Sequence, residues 1–274
     1  MSYADYEYLE ALEYVLSTGE VRKDRTGVGT ISSFGVNLEF ENTTDFPLLT
    51  TKRVHFKSVV GELLWMLSGS TNVKELRDKY GVTIWDEWER EDGTIGPGYG
   101  EQWRDAWWAD SNGDPIVVDQ MQNLIEGIKE DPFSRRHIVN AWNVGQIADM
   151  ALPPCHTMFQ CYVTTDGYLD LQLYQRSSDM FLGLPFNIAQ YALLQRILAA
   201  QTGYKSGTLK ITIGDAHIYT NHVEQVKEQL ERVPKASPEL FIVVNDQKFS
   251  CYKPEDFRLV DYDPHPTIKA PVAI

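Results

Sequence analysis

Hydrophobic residues recur along this chain at two spacings, and each spacing predicts one type of secondary structure. Apolar residues that return every three or four positions indicate a helix, whereas apolar residues that alternate with polar ones indicate a strand. Helical spacing is found at residues 4–18, 56–67, 117–130 and 185–200. Strand spacing is found at residues 31–40, 137–144, 157–163, 168–175, 209–213 and 240–244.

These elements predict one α+β domain that spans residues 1–274, with a largely antiparallel or mixed sheet. The helices at residues 56–67 and 185–200 are strongly apolar, so we expect both to be buried. Residues 214–222 are expected to lead into a helix that reaches Arg232. The proline-rich tail at residues 263–274 ends in apolar side chains, which predicts that it docks on the domain.

Charge and cysteine content narrow the class of protein. The net charge of −14 argues against general binding to nucleic acid or anionic membranes, although it permits a local basic site for a small anion. Three cysteines, Cys155, Cys161 and Cys251, match neither a disulfide framework nor a zinc site. Residues 1–5 lack the basic and apolar regions that are typical of a signal peptide, and no apolar run approaches the roughly 20 residues needed to span a bilayer. We therefore expect a reduced, cytoplasmic protein without a metal.

Cys155 is the strongest candidate for a nucleophile. It follows Pro153 and Pro154, whose rings fix φ and would hold the cysteine in a defined pose. Arg176 follows about twenty residues later, and a nearby guanidinium lowers the pKa of a thiol. If the strand at residues 157–163 extends back to Cys155, then Cys155 and His156 point to opposite faces. His156 is then a poor base for the cysteine, and activation by Arg176 is the better hypothesis.

Several other polar residues have two interpretations each. Glu62 interrupts an apolar helix, so it lies either at the solvent edge or in the core as a tuned acid or base. Arg25, in a glycine-bearing loop, is either a surface residue or an anion clamp. Adjacent Arg135 and Arg136 are either solvated or a paired contact to phosphate. Asn187 either caps a helix or reads the edge of a ligand.

Trp85 and Trp88 also have two interpretations. They either pack in the core or at an interface, or they form a platform for a flat heterocycle.

Ten short stretches occur here in the order found in one known family. They are residues 24–27, 46–53, 62–65, 84–86, 134–136, 151–156, 175–183, 185–187, 214–221 and 269–274. Together they cover nearly the whole chain and resemble the folate-dependent thymidylate synthases of the bacterial type, which use a cysteine nucleophile.

The resemblance implies reductive methylation of dUMP to dTMP. Methylenetetrahydrofolate would supply both the carbon and the hydride, and dihydrofolate would leave. The implied fold is a twisted mixed sheet with flanking helices, and two sheets pack back to back in a homodimer. The nearest alternative is a deoxyuridylate hydroxymethylase of the same fold, in which water quenches the methylene intermediate. Neither a membrane nor DNA is an expected partner, and autoregulatory RNA binding is left open.

The resemblance also implies roles on the dUMP side. Cys155 would add to carbon six of the uracil, with Glu62, Tyr99 and His156 in a proton-transfer network. Asn187 would accept from the ring N–H and donate to the adjacent carbonyl, which favours uracil over cytosine. The implied substrate-binding residues are Arg25, Arg135, Arg136, Gln175, Arg176, Ser177, Ser178, Asp179, Asn187, His217 and Tyr219. Arg135 and Arg136 would come from the partner subunit.

On the folate side, the resemblance implies a contact of Asp179 with the pterin and closure of the tail over the ligands. The implied folate-binding residues are Lys52, His55, Ile84, Trp85, Trp88, Leu152, Asp179, Leu182, Gly183, Phe186 and Ala273. Two positions depart from the family pattern. Gly98 replaces a residue that is usually valine, and Gln190 replaces a small residue that is usually serine.

Overall fold

The computed structural model describes residues 2–243 and 251–272, and its helices enclose one side of a central sheet. The helices in these ranges are α1 (Tyr3–Thr18), α2 (Phe56–Leu67), α3 (Val73–Tyr80), α4 (Tyr99–Arg104), α5 (Gln120–Glu130), α6 (Leu184–Thr202) and α7 (Val223–Leu230). Helix α1 begins at Ser2, whose hydroxyl accepts from the N–H of Asp5 and satisfies one free donor of the first turn.

Six strands form the central sheet, in the order β1-β2-β8-β7-β6-β5. These strands are β1 (Glu20–Arg22), β2 (Thr30–Glu41), β5 (Ile138–Asn140), β6 (His156–Val163), β7 (Tyr168–Asp179) and β8 (Lys205–Tyr219). Two small hairpins lie outside it, made of β3 (Ala106–Ala109) with β4 (Pro115–Val118) and of β9 (Glu239–Ile242) with β10 (Phe257–Val260). Strands β7 and β8 are parallel and the other pairs are antiparallel, which confirms the predicted mixed sheet and α+β class.

Helix α6 is the crossover that the parallel pair of β7 and β8 requires. It is buried on most sides and contacts α2 as well as the sheet, as the apolar sequences of both helices predicted. Side chains such as Leu63 and Leu193 are fully buried, and each stabilises the fold by about 1.5–3 kcal/mol. This tightly packed layer provides the rigid support for the polar side chains described below.

The sheet face opposite these helices is exposed in the isolated chain. Tyr162 and Tyr174, on neighbouring strands, are 62% and 39% exposed, and Gln172 is exposed beside them. Alternation along β7 places Leu171 and Leu173 on the buried side. The outer face is therefore a mixture of aromatic and polar side chains.

Several predicted boundaries were wrong. The helix expected at residues 117–130 begins only at Gln120, because residues 115–118 form strand β4 and Asp119 caps the helix by accepting from the N–H of Gln122. The strand expected at residues 137–144 is confined to Ile138–Asn140, and the one expected at 209–213 is part of the longer β8. Helix α7 ends at Leu230, before Arg232, and α3 was not predicted. In the described part of the chain, we find no helix that is long and apolar enough to cross a membrane.

Candidate active site

Cys155 lies at the end of a loop that Arg176 holds in place. The guanidinium of Arg176 donates to the carbonyls of Pro153 and Pro154 at 2.7 and 2.9 Å, and its Nη2 lies 3.8 Å from the Sγ of Cys155. The N–H of Arg176 also donates to the carbonyl of Cys155 at 2.8 Å. Pairing of β6 with β7 thus places the arginine predicted from sequence directly against the cysteine.

The electrostatic effect on the thiol has two opposing parts. Burial raises the pKa of Cys155, and this effect exceeds the opposing effects of Arg176 and Arg25, which lower it. Arg176 therefore lowers the pKa of the thiol, as the sequence predicts, although burial outweighs its contribution. The opposing influence of Arg25 nevertheless indicates that its charge lies within reach of the thiol.

His156 faces away from the thiol, into the core. Its Nδ1 is hydrogen-bonded to the hydroxyl of Tyr191 on α6 at 2.8 Å, and its ring stacks on Tyr99 with centroids 4.2 Å apart. Burial lowers the pKa of His156 to about 3, so the imidazole is neutral at physiological pH. Both observations support the prediction that His156 is not the base for Cys155.

Tyr99 connects this aromatic cluster to the nucleophile. The N–H of Cys155 donates to the Tyr99 hydroxyl at 2.8 Å. Tyr99 has a φ of +21°, a strained conformation for a residue other than glycine and one that is concentrated at functional sites. The preceding Gly98 has an ordinary φ of −90°, and a Cβ there would lie 3.2 Å from the flexible tip of Ile95. The backbone of Gly98 therefore does not itself require glycine.

Glu62 is in the core, which decides between its two interpretations. Its side chain is bound at both oxygens: Trp85 Nε1 donates to Oε1 at 2.6 Å, and Gln190 Nε2 donates to Oε2 at 2.8 Å. Burial raises the pKa of Glu62 to about 7, although both hydrogen bonds oppose this shift. Glu62 therefore exchanges a proton most readily near neutral pH.

Asn187 does not cap helix α6. The N-cap is Gly183, and the side-chain oxygen of Asn187 instead accepts from Gln175 Nε2 at 2.9 Å. Gln175 pairs with His156 across the neighbouring strands, so Asn187 and Cys155 are held from adjacent positions of the sheet. The capping interpretation is therefore wrong, and the role of ligand reader stays a prediction.

The parallel pairing of β7 and β8 gathers further polar residues at one end of the sheet. Asp179 pairs with His217, and Ser177 pairs with Asp215. The ring of His217 lies edge-on to Tyr219, with centroids 5.2 Å apart. Ser178 is buried, and its hydroxyl has no hydrogen-bond partner among the described residues.

The arginines occupy two regions. Arg25 is exposed in a loop shaped by Asp24, whose carboxylate accepts from the N–H groups of Thr26 and Gly29. Arg135 and Arg136 are also exposed, but they precede β5 at its far end. Ile138 of β5 pairs with Gln160, so the register separates Arg136 from Cys155 of the same chain by roughly 20 Å.

The aromatic side of the site is built around Trp85. Its ring packs against Trp88 and Tyr99 at centroid distances of 5.8 and 5.7 Å. Trp85 is 7% exposed, whereas the neighbouring Ile84 is 40% exposed. Leu152, Leu182 and Phe186 are half-buried against the same core. Trp85 therefore belongs to the core and also binds Glu62, which supports the packing interpretation of this tryptophan.

Lys52 is buried rather than extended into solvent. Its ammonium donates to the carbonyl of Phe181 and lies 3.5 Å from the centroid of that ring. Burial lowers the pKa of Lys52 to about 7, while the carboxylate of Asp179 opposes the shift. Asp179 Oδ1 accepts from the N–H groups of Phe181 and Leu182 at 2.9 and 3.1 Å. His55, by contrast, is exposed and bonded to Ser58.

The described part of the tail docks on the domain, as predicted. His222 is hydrogen-bonded to the carbonyl of Pro271 at 2.7 Å, and Arg232 donates to the carbonyl of Pro266 at 2.6 Å. Ala273, expected to contact folate, lies outside the described residues.

Sequence reasoning missed the roles of two residues of α6. In the sequence Gln190 stands out only as a departure from the family pattern, and Tyr191 does not stand out, yet Gln190 binds Glu62 and Tyr191 binds His156. Among the described residues, no group of three or more metal-ligating side chains could hold a metal ion. Comparison with known families gives a match of residues 6–274 to the family described as thymidylate synthase.

Proposed function

Because the chain belongs to the thymidylate synthase family, we propose that it catalyses the reductive methylation of dUMP to dTMP, with methylenetetrahydrofolate as co-substrate. One observation carries the proposal. The strand pair β6–β7 holds a cysteine against Arg176 and, at the adjacent position, supports Asn187 through Gln175. A nucleophile in the loop before β6 and an amide reader on α6 are thereby both held against strand β7.

Cys155 is the nucleophile in this proposal. Its sulfur forms a bond to carbon six of the uracil, which makes carbon five nucleophilic, and the same bond breaks when the product leaves. The half-buried thiol must first lose its proton, and Arg176 and Arg25 favour the thiolate by their charge. The bond from Tyr99 to the N–H of Cys155 fixes the backbone beside the reacting sulfur.

Asn187 selects the base. The amide oxygen has a second lone pair that can accept from the N–H of the uracil ring, and its NH₂ group can donate to the adjacent carbonyl. Gln175 Nε2 donates to the Asn187 oxygen at 2.9 Å, and this bond supports the amide in that orientation. Cytosine presents the reverse pattern of donors and acceptors at these positions.

Glu62 moves protons to and from the base, in the proposal through water. Its pKa of about 7 suits both directions of proton transfer at neutral pH. Tyr99 and the neutral His156 are the other members of this proton-transfer network. They contribute uncharged polar groups at fixed positions. His217 and Tyr219 hold the sugar hydroxyl.

The phosphate of dUMP is held by Arg25, Arg176 and Ser177 in this proposal. Arg135 and Arg136 lie too far from Cys155 of their own chain to assist, so they complete the phosphate site of a second subunit. The exposed outer face of the sheet supports a homodimer in which two such faces pack together.

The folate binds beside the base. Ile84, Trp88, Leu152, Leu182 and Phe186 offer apolar contact, and Asp179 offers a carboxylate to the pterin. Trp85 keeps water from the methylene carbon, which favours quenching by hydride. Lys52, His55 and Gly183 are the remaining folate-binding residues in this proposal. The docked tail closes the site.

Product identification tests this function. The purified protein is mixed with dUMP and methylenetetrahydrofolate, and the nucleotides and folates are separated by chromatography with mass detection. We expect dTMP and dihydrofolate in equal amounts. Hydroxymethyl-dUMP with tetrahydrofolate would instead identify a hydroxymethylase, and no conversion of dUMP would contradict both activities.

A further inference from the structure

Gln190 lies one turn after Asn187 on α6, and it binds Glu62 directly. Its side chain is 1% exposed, and its Nε2 donates to Glu62 Oε2 at 2.8 Å. Trp85 Nε1 occupies the other carboxylate oxygen at 2.6 Å. Each oxygen of Glu62 therefore has a hydrogen bond from a side chain.

The second polar atom of the Gln190 amide has no partner. Oε1 is buried and accepts no hydrogen bond from the described residues. A buried acceptor without a donor costs roughly 1–3 kcal/mol, so its presence in the core requires an explanation. A half-turn of the amide would exchange the two ends and present Oε1 to Glu62 Oε2.

These two orientations match the two protonation states of the carboxyl group. An ionised carboxylate only accepts, so it pairs with Nε2–H, whereas a carboxylic acid can donate and pairs with Oε1. The indole N–H of Trp85 can donate but cannot accept, so Trp85 can bind only a Glu62 oxygen that carries no proton. Of these two side chains, only Gln190 can form a hydrogen bond with Glu62 in both protonation states.

We propose that Gln190 is a positioning residue that holds Glu62 in both protonation states by a half-turn of its amide. No proton passes to or from the amide itself. The proton is exchanged between Glu62 and the substrate or water, and the half-turn keeps Oε2 paired before and after the exchange. The role in catalysis depends on the proposed function, but the coupling between the amide and Glu62 does not.

The other titratable groups that face Glu62 are Tyr99 on α4 and Tyr191 on α6. Burial raises the pKa of each tyrosine well above its ordinary value, so both remain neutral when Glu62 titrates. The pKa of Glu62 is raised by burial and lowered by Trp85 and Gln190, with no contribution from a cation among the residues that the structure describes. Burial thus favours the protonated form of Glu62, and the hydrogen bonds from Trp85 and Gln190 favour the ionised form.

The first experiment uses the wild-type protein with ¹⁵N-labelled glutamine side chains. The NH₂ signal of Gln190 is assigned by its absence in Gln190→Met and followed by NMR from pH 5 to pH 9. We expect its chemical shift to titrate with the same midpoint as the Glu62 carboxyl band, measured by infrared difference spectroscopy and assigned with Glu62→Gln. A Gln190 signal that does not follow Glu62 would overturn the proposal, and this readout requires no activity.

The second experiment compares Gln190→Met with Gln195→Met as a matched control. Gln195 is a fully buried glutamine on the same helix, but its amide donates to the carbonyls of Leu169 and Thr208. Gln190→Met removes a partner from both protonation states of Glu62, but the charge-assisted bond to the ionised carboxylate is the stronger of the two. The infrared midpoint of Glu62 should therefore shift upward, and Gln195→Met should leave it unchanged. Equal midpoints in the wild type and Gln190→Met would refute the proposal.

Steady-state kinetics then distinguish a positioning role of Gln190 from a general loss of structure in its variants. We expect Gln190→Met to lower kcat at pH 7 by roughly tenfold or more, with the pH profile shifted in the same direction as the infrared midpoint and KM for dUMP nearly unchanged. Gln190→Ser, which leaves room for a water beside its hydroxyl, should recover part of kcat. If the wild type converts no dUMP, the proposed function fails, while the NMR and infrared results still test the coupling.

Discussion

Arg176 Nη2 lies 3.8 Å from the Sγ of Cys155, although 21 positions separate the two residues in the chain. The same guanidinium donates to the carbonyls of Pro153 and Pro154. It therefore holds the conformation of the loop and places a positive charge beside the thiol. Burial raises the pKa of the thiol, and the charge of Arg176 opposes this shift. The two proline carbonyls hold the guanidinium beside the sulfur.

Substitution of Cys155 by serine separates catalysis from binding. We expect Cys155→Ser to lower turnover by on the order of a thousandfold or more, because a hydroxyl is a much weaker nucleophile than a thiolate. Binding of dUMP, measured by calorimetry, should change little, since Arg176 and Asn187 remain. Cys251→Ser removes an exposed thiol and is the matched control. Wild-type turnover in Cys155→Ser would contradict the assignment of the nucleophile.

Glu62 should make stability depend on pH. Its pKa is about 7 in the fold and near 4.5 in the unfolded chain, so the unfolded state releases the proton first as the pH rises. Below pH 4.5 Glu62 is protonated in both states, and its contribution to the free energy of unfolding is then greatest. This contribution is lost as the pH rises from 4.5 to 7. At pH 8 the ionised group costs about 3 kcal/mol in the free energy of unfolding.

Glu62→Gln removes this cost because the amide stays neutral. We expect the variant to gain up to about 3 kcal/mol over the wild type between pH 4.5 and 8, measured by urea unfolding at each pH. The same variant should lose roughly 10²–10⁴-fold in turnover. Glu126→Gln, on the exposed side of α5, controls for the loss of one negative charge. A stability difference that is the same at both pH values would contradict the shifted pKa.

Asn187→Asp should change the preferred base. An aspartic acid can donate to the ring nitrogen of cytosine and accept from its amino group, the reverse of what the Asn187 amide offers to uracil. We expect the ratio of kcat/KM for dUMP to that for dCMP to fall by roughly 10²-fold or more. Asn187→Ala, which offers neither pattern, is the control and should lower activity with dUMP without a gain for dCMP. An unchanged preference for dUMP in Asn187→Asp would exclude the role of reader.

Two inactive variants should restore each other if the subunits share arginines. Cys155→Ser lacks the nucleophile, and a chain with Arg135→Ala and Arg136→Ala lacks the phosphate contacts it would give to its partner. In a mixed dimer, one site receives an intact Cys155 and intact arginines. After unfolding and refolding an equimolar mixture, we expect about a quarter of the wild-type activity.

The control for this experiment is each variant unfolded and refolded alone, which should remain inactive. Sedimentation velocity should show a dimer for every sample. Activity in the double arginine variant by itself, or none in a refolded mixture that is dimeric, would contradict the shared site.

Periodicity located the long elements well and the short ones poorly. Helix α2 matches its predicted bounds, because its apolar residues and their spacing continue to both ends. Residues 115–118 have an apolar run that suits a helix or a strand, and their pairing with β3 decided for a strand. Helix α3 was missed because only Val73 and Leu76 are buried, so its pattern is mostly polar.

The sequence by itself determined the type of chemistry, because residue identities set which groups can attack, accept or donate. It indicated Cys155, Arg176 and Asn187 and predicted the α+β class. Only the tertiary structure decided how those groups behave. Burial, which depends on packing from distant parts of the chain, raised the pKa of Glu62, made His156 neutral and outweighed Arg176 at the thiol. The bond from Gln190 to Glu62 likewise joins two helices 128 positions apart, a relation that no local pattern contains.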